Sequence, residues 1–183
     1  MKAEAMTLYC GATRGAEAEF GRWAEQFGIE EVNYSFDGHQ NERTRGLHVL
    51  SRDELITGDV SLQYVSRLLN RNYTQKGDVF RKVLQTLFHI VNKSREVFVI
   101  GEVQEDRTVR GGTGWGAEFA KLCNKTLHTF DQTQDTWLRW SGESWRPVEH
   151  PAIGEAQFAG IGTRFLQDSG KQAIERLFKA TFG

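Results

Sequence analysis

Glycine falls at three places in this chain where an apolar run has just ended and a helical pattern is about to begin. Gly11-Ala12-Thr13-Arg14-Gly15 follows Thr7-Leu8-Tyr9-Cys10, and Gly111-Gly112-Thr113-Gly114-Trp115-Gly116 comes shortly after Val97-Phe98-Val99-Ile100-Gly101. Gly160-Ile161-Gly162-Thr163-Arg164 completes a run that starts at Phe158. Strands that alternate with helices build βαβ units around a mostly parallel sheet. In such a sheet the strand-to-helix turns gather at the carboxyl edge of the strands, where ligands bind.

The rest of the pattern agrees. Residues 16–27 put Ala16, Phe20, Trp23, Ala24 and Phe27 on one helical face, with Gly28 as the stop. A second strand is predicted over 31–36, breaking at Asp37-Gly38, and helices over about 60–71 and 78–93. Residues 39–58 are polar and carry no clear period. Residues 97–101 predict a central strand, apolar on both faces. A short flap is expected over 102–110, a helix from the second glycine turn to about 124, and a strand over 126–131. Two tryptophan-bearing segments flank Ser141-Gly142-Glu143 as an antiparallel hairpin, and a strand at 158–161 and a helix at 168–181 follow. The expected fold is α/β: one Rossmann-like, mostly parallel sheet flanked by helices, spanning 1–183. Residues 136–150 form a small antiparallel hairpin extension and 158–183 a closing βα unit.

Composition narrows the function classes. With 183 residues, one good core is expected and a second full domain is not. Lys+Arg 23 against Asp+Glu 24 leaves a formal charge of −1 without a basic stripe, which disfavours nucleic-acid partners. Cys10 and Cys123 are isolated, without metal-ligand spacing, so neither a disulfide scaffold nor a metal site is expected. No long apolar segment is present, so no membrane partner and a cytoplasmic location are the default reading.

The 19 glycines exceed the average usage of roughly 7%, and their clustering points to backbone that approaches a ligand. Helix N-termini expose unpaired N–H groups and a positive dipole end, both favourable to phosphate. Thr13, Thr113 and Thr163 add hydroxyl donors, and Arg14 and Arg164 add cations for phosphate oxygens. None of the turns has the Gly-Lys-Ser/Thr of a Walker loop. None fits GxGxxG with a downstream ribose carboxylate, so a nicotinamide cofactor is disfavoured and no cofactor is expected.

Three stretches resemble the SLOG superfamily, which unites LONELY GUY phosphoribohydrolases with DNA-processing proteins of the Smf type. Gly111-Gly112-Thr113-Gly114 with Glu118 resembles the PGGxGTxxE signature of the first branch, and 10–17 resembles the SGGAxGAD turn of the second. Residues 158–164 resemble that branch's opening strand, although here it closes the chain, as in a circular permutation. The resemblance implies a Rossmann-like fold, a nucleotide-derived ligand with phosphate on 111–114, and a homodimer by analogy. It also implies N-glycosidic cleavage by Glu118 in an enzymatic variant, or single-stranded nucleic-acid handling in a Smf-like one. Arg110 stands where the first signature has proline, Trp115 where it has threonine, and Leu87-Phe88 near its catalytic arginine. Arg81-Lys82 lie earlier on that helix.

Several residues carry two readings. Glu118 reads equally as a catalytic carboxylate and as a solvated first-turn acid. Trp115 reads as a packing residue against the flap or as a surface on which a base stacks. Ser35 and Asp37, ending the second strand, sit where doubly wound folds read ribose or a base edge, or they simply form a turn. Asp131 faces the same crevice or caps its strand. His89 reads as a satisfied core histidine, and Trp137, Trp140 and Trp145 as packing on the hairpin or a dimer contact. The leading expectation is a binder of a nucleotide-like phosphorylated ligand, acting as sensor or carrier. Its binding residues are 11–14, 111–115, 162–164, Ser35 and Asp37.

Overall fold

The computed structural model describes residues 2–74 and 77–183. Among them, eight strands form one sheet in the order β3-β2-β1-β8-β4-β5-β6-β7. The strands are β1 (Thr7–Cys10), β2 (Glu30–Ser35), β3 (Leu47–Val49), β4 (Glu96–Gly101), β5 (Thr126–Asp131), β6 (Thr136–Trp140), β7 (Trp145–Val148) and β8 (Gln157–Gly162). The first six in spatial order pair parallel; β6 and β7 add an antiparallel hairpin at one edge. The protein is therefore α/β with a mostly parallel sheet, as its alternating pattern requires.

Strand alternation divides the core into two layers. On β4, Val97 and Val99 enter one cluster while Phe98 and Ile100 enter the other. The helices α1 (Ala16–Gln26) and α6 (Asp168–Phe182) cover the second layer, where Phe20, Trp23 and Ala24 meet Ile174, Leu177 and Phe178. The helices α3 (Asp59–Leu69), α4 (Asp78–Lys93) and α5 (Thr113–Leu122) cover the first layer through Leu62, Val65, Leu84, Leu87, Trp115 and Phe119. Ala3 and Phe182 both rest on the second layer, so the two ends of the described chain share one face; Met1 lies outside the described residues.

The closing βα unit occupies the middle of the sheet: β8 lies between β1 and β4, parallel to both. Its glycines let α1 come close. A Cβ on Gly160 would strike the ring of Phe20, and one on Gly162 would lie 2.7 Å from both the Ala16 methyl and the Ile100 carbonyl oxygen. From the opposite face α5 presses Gly116 against Ile161, at 2.6 Å from a hypothetical Cβ. Helix-to-sheet packing thus accounts for three glycines of the turn segments, of which Gly162 was expected to bind a ligand.

Residues 39–58, without a period in the sequence, hold β3 and a short helix, α2 (Arg52–Ile56). Ser51 caps α2: its hydroxyl accepts from the Glu54 N–H while the Glu54 carboxylate accepts from the Ser51 N–H. No helix is long and apolar enough to cross a membrane among the described residues.

Candidate functional site at the carboxyl edge of the sheet

The first and third glycine turns touch, and the second stands near the end of β4, where the Thr113 methyl would lie 3.9 Å from a Cβ placed on Gly101. Gly15 has φ +95°, and a Cβ there would sit 2.5 Å from the Thr163 carbonyl oxygen and from the Arg164 Cα, so the first and third turns touch backbone to backbone. Thr163 binds both sides, donating its N–H to the Ile100 carbonyl at 2.9 Å and accepting the Ala16 N–H at 3.0 Å. The turn after β8 leads to α6 on one face of the sheet, and the neighbouring turn after β4 leads to α5 on the other. Diverging turns on adjacent strands make this edge a topological switch point, the place where open α/β sheets bind ligands.

The three turns differ in what they leave free. In the first, the Thr13 N–H donates to the buried Glu17 carboxylate at 3.2 Å, and the Thr13 hydroxyl donates to the same oxygen. Burial pushes the Glu17 pKa up, and the two bonds from Thr13 pull it part of the way back. Gly11 makes room for this group, since a Cβ there would sit 2.7 Å from the Glu17 oxygen. The Ala12 carbonyl accepts from the N–H groups of Glu42 and Arg43, and the Gly11 carbonyl accepts from the Asn41 side chain at 2.9 Å. The seat read for a ligand anion at Thr13 therefore holds the protein's own carboxylate, which corrects that assignment. Arg14 alone extends from this turn into solvent, with no ion pair among the described residues.

The second turn is the open one. Gly111 has φ +71° with nothing within 4 Å of a hypothetical Cβ, and Gly112 follows at φ −62°, ψ −35°. A left-handed residue before a right-handed one turns successive N–H groups to the same side. Within the described residues the N–H groups of Gly111, Gly112 and Thr113 donate to no acceptor; hydrogen bonding resumes with Gly114 to Gly111 and Trp115 to Gly112. Arg71, which the sequence reading missed, holds the turn from outside: its guanidinium donates to the Gly111 carbonyl at 2.9 Å, to the Gln104 side chain at 3.0 Å and to the Val109 carbonyl at 3.3 Å. No sequence signal links Arg71 to a turn forty residues away.

In the third turn the Thr163 hydroxyl accepts the Phe165 N–H at 3.1 Å, and Arg164 and Phe165 project into solvent. Arg164 forms no ion pair among the described residues; its guanidinium lies 5.2 Å from the Phe165 ring centroid.

Other sequence assignments change role. Trp115 is 1% exposed and packs beside Tyr73, with ring centroids 6.0 Å apart, so it has no face for a base; core packing replaces the stacking assignment. Glu118 lies beside Lys121 at 3.1 Å, and that ammonium also donates to the Arg107 carbonyl and sits 4.2 Å from the Trp140 ring centroid. Glu118 thus belongs to the contact that ties the flap (Val103 bridged to Val109) to the hairpin. Trp145 joins it by donating to the Arg107 carbonyl, and Trp137 is buried against Phe98 and Phe130. Ser35 is buried, its hydroxyl donating to Asn41 at 2.7 Å, and is closed to a ligand. Asp131 is a capping residue, accepting from the N–H groups of Val103, Thr133 and Gln134. His89 bonds the Glu54 carbonyl at 2.8 Å.

Asp37 lies elsewhere. With Phe36, Leu50, Leu55, Arg81 and Lys82 it lines a cavity of about 590 Å³ beyond β2, to which none of the three glycine turns contributes. Among the cavity's polar groups, Asp59 accepts from Tyr73 and Gln85, and Asp78 pairs with Arg81 at 3.1 Å and Lys82 at 3.0 Å, while the Arg81 Nε is buried without a hydrogen-bond partner among the described residues. At the carboxyl edge, by comparison, the N–H groups of 111–113 donate to no acceptor and Arg14 and Arg164 form no ion pair among the described residues.

No family model, no curated protein and no solved structure matches this chain. The SLOG resemblance therefore rests on the three short motifs alone.

Proposed function

We propose that the protein binds a phosphorylated, nucleotide-like ligand at the edge between β8 and β4, as a sensor or carrier. The observation that carries this reading is the run of three unengaged N–H groups at 111–113, held at the first turn of α5 by Arg71. Such a run, backed by the helix dipole, favours an anion. Arg14 and Arg164, exposed on the two turns that meet at Gly15 and without an ion pair among the described residues, supply the positive charge that a phosphate group needs.

A thermal-shift screen with ribonucleoside monophosphates tests the reading. A ligand present at about 100 times its dissociation constant adds about 2.7 kcal/mol, which for a chain of this size raises Tm by roughly 5–10 °C. Arg14→Ala/Arg164→Ala together are expected to remove most of that shift. Equal shifts in the wild type and the double variant would contradict the site.

A further inference from the structure

The third turn carries an aromatic ring where Trp115 provides none. Phe165 is 74% exposed, and it differs from the other exposed apolar side chains in where it stands. Val60, Tyr64 and Leu68 lie along α3, whereas Phe165 follows Arg164 directly at the edge where the glycine turns meet. Its backbone is fixed on both sides. The Phe165 N–H donates to the Thr163 hydroxyl at 3.1 Å, and the Phe165 carbonyl accepts from the Gln132 side chain at 3.4 Å. Gln132 also accepts the Gln167 N–H at 2.8 Å, so the turn is pinned to the end of β5. With the backbone held and the Arg164 guanidinium 5.2 Å from the ring centroid, only side-chain freedom is left to be lost when a ligand covers Phe165.

We propose that Phe165 is the stacking platform for the base of the ligand, with Arg164 and Arg14 engaging the adjoining phosphate. Every nucleobase has a π-face, and an aromatic side chain beside an arginine accepts it irrespective of its hydrogen-bonding edge. The site thereby selects a free nucleotide over a sugar phosphate without choosing strongly among bases. The formal charge of −1 and the lack of a basic stripe favour a free nucleotide over a nucleic-acid strand. This inference rests on the phosphate reading above.

The test measures AMP and ribose 5-phosphate binding by calorimetry for the wild type, Phe165→Ala and Phe165→Trp. Phe165→Ala is expected to weaken AMP binding about tenfold and leave ribose 5-phosphate unchanged, while Phe165→Trp keeps AMP affinity. AMP affinity indifferent to Phe165→Ala, or an equal loss for both ligands, would overturn the platform while leaving the phosphate site standing. A wild type that binds neither ligand would overturn both. A single-stranded decanucleotide that displaces AMP at a hundredfold lower concentration would overturn the assignment to a free nucleotide.

Discussion

Gly15 shows how one residue ties the site to the fold. Its φ of +95° lies where side chains are strained, and the Thr163 oxygen and the Arg164 Cα stand 2.5 Å from any Cβ placed there. Conformational strain and overlap with backbone combine in Gly15→Ala, and the expected loss is about 3 kcal/mol in urea unfolding. Gly142 is the control. It has φ +98° but open space around it, so Gly142→Ala is expected to lose only about 1 kcal/mol. Equal losses would mean that the first and third turns do not touch as described. Glu17 teaches a second lesson at this scale. The turn Gly11–Gly15 was legible in the sequence as an anion seat, but that its anion is the protein's own carboxylate was not. Whether a side chain folds back on its turn depends on the rotamer and the depth of burial, neither of which spacing encodes.

At the scale of elements, strong periodicity was readable and weak periodicity was not. The helix at 78–93 stands where its apolar spacing put it, because Leu84, Leu87 and Val91 fall on one buried face. The three-residue strand β3 has no such spacing; all its residues are exposed at the sheet's edge and only pairing with β2 defines it. The helix α2 did leave a trace, the Ser51-to-Glu54 capping signature, which a polar stretch without apolar period made easy to pass over. The pairing of β4 with β5 buries a further feature at its amino end. His128 stacks on Phe98 at 5.1 Å and its Nδ1 lies 3.6 Å from Glu96, yet burial holds both groups towards their neutral forms. Burial, and then the charge of Arg139, lower the His128 pKa to about 4. The unfolded chain protonates this histidine below about pH 6.5. Between those values it therefore binds more protons than the folded chain, and stability falls as pH falls. Glu96, raised by burial and by the Glu155 charge against the bonds from Gly154 and Glu155, has the opposite slope in the lower part of that window. Urea unfolding is expected to show His128 costing roughly 2 kcal/mol between pH 7 and pH 5, and His128→Phe flattening that limb. An identical acid loss in the variant would assign the effect to other groups.

At the scale of the whole molecule, the class of fold was legible and the order of strands was not. Alternating strand and helix patterns imply a parallel sheet, but no local pattern states that the last strand enters between the first and the fourth. That insertion brings Arg164 against the turn that carries Arg14, on the turn that follows the strand next to β4. It also explains why Gly162, expected to contact a ligand, instead packs against Ala16 of α1. The most direct measurement is a titration with AMP followed by amide resonances of the assigned protein. Saturable shifts should appear together at Gly111, Gly112 and Thr113 and at 163–165. Shifts confined to residues lining the cavity beyond β2, or no saturable shift at millimolar AMP, would contradict the anion site at the edge between β8 and β4.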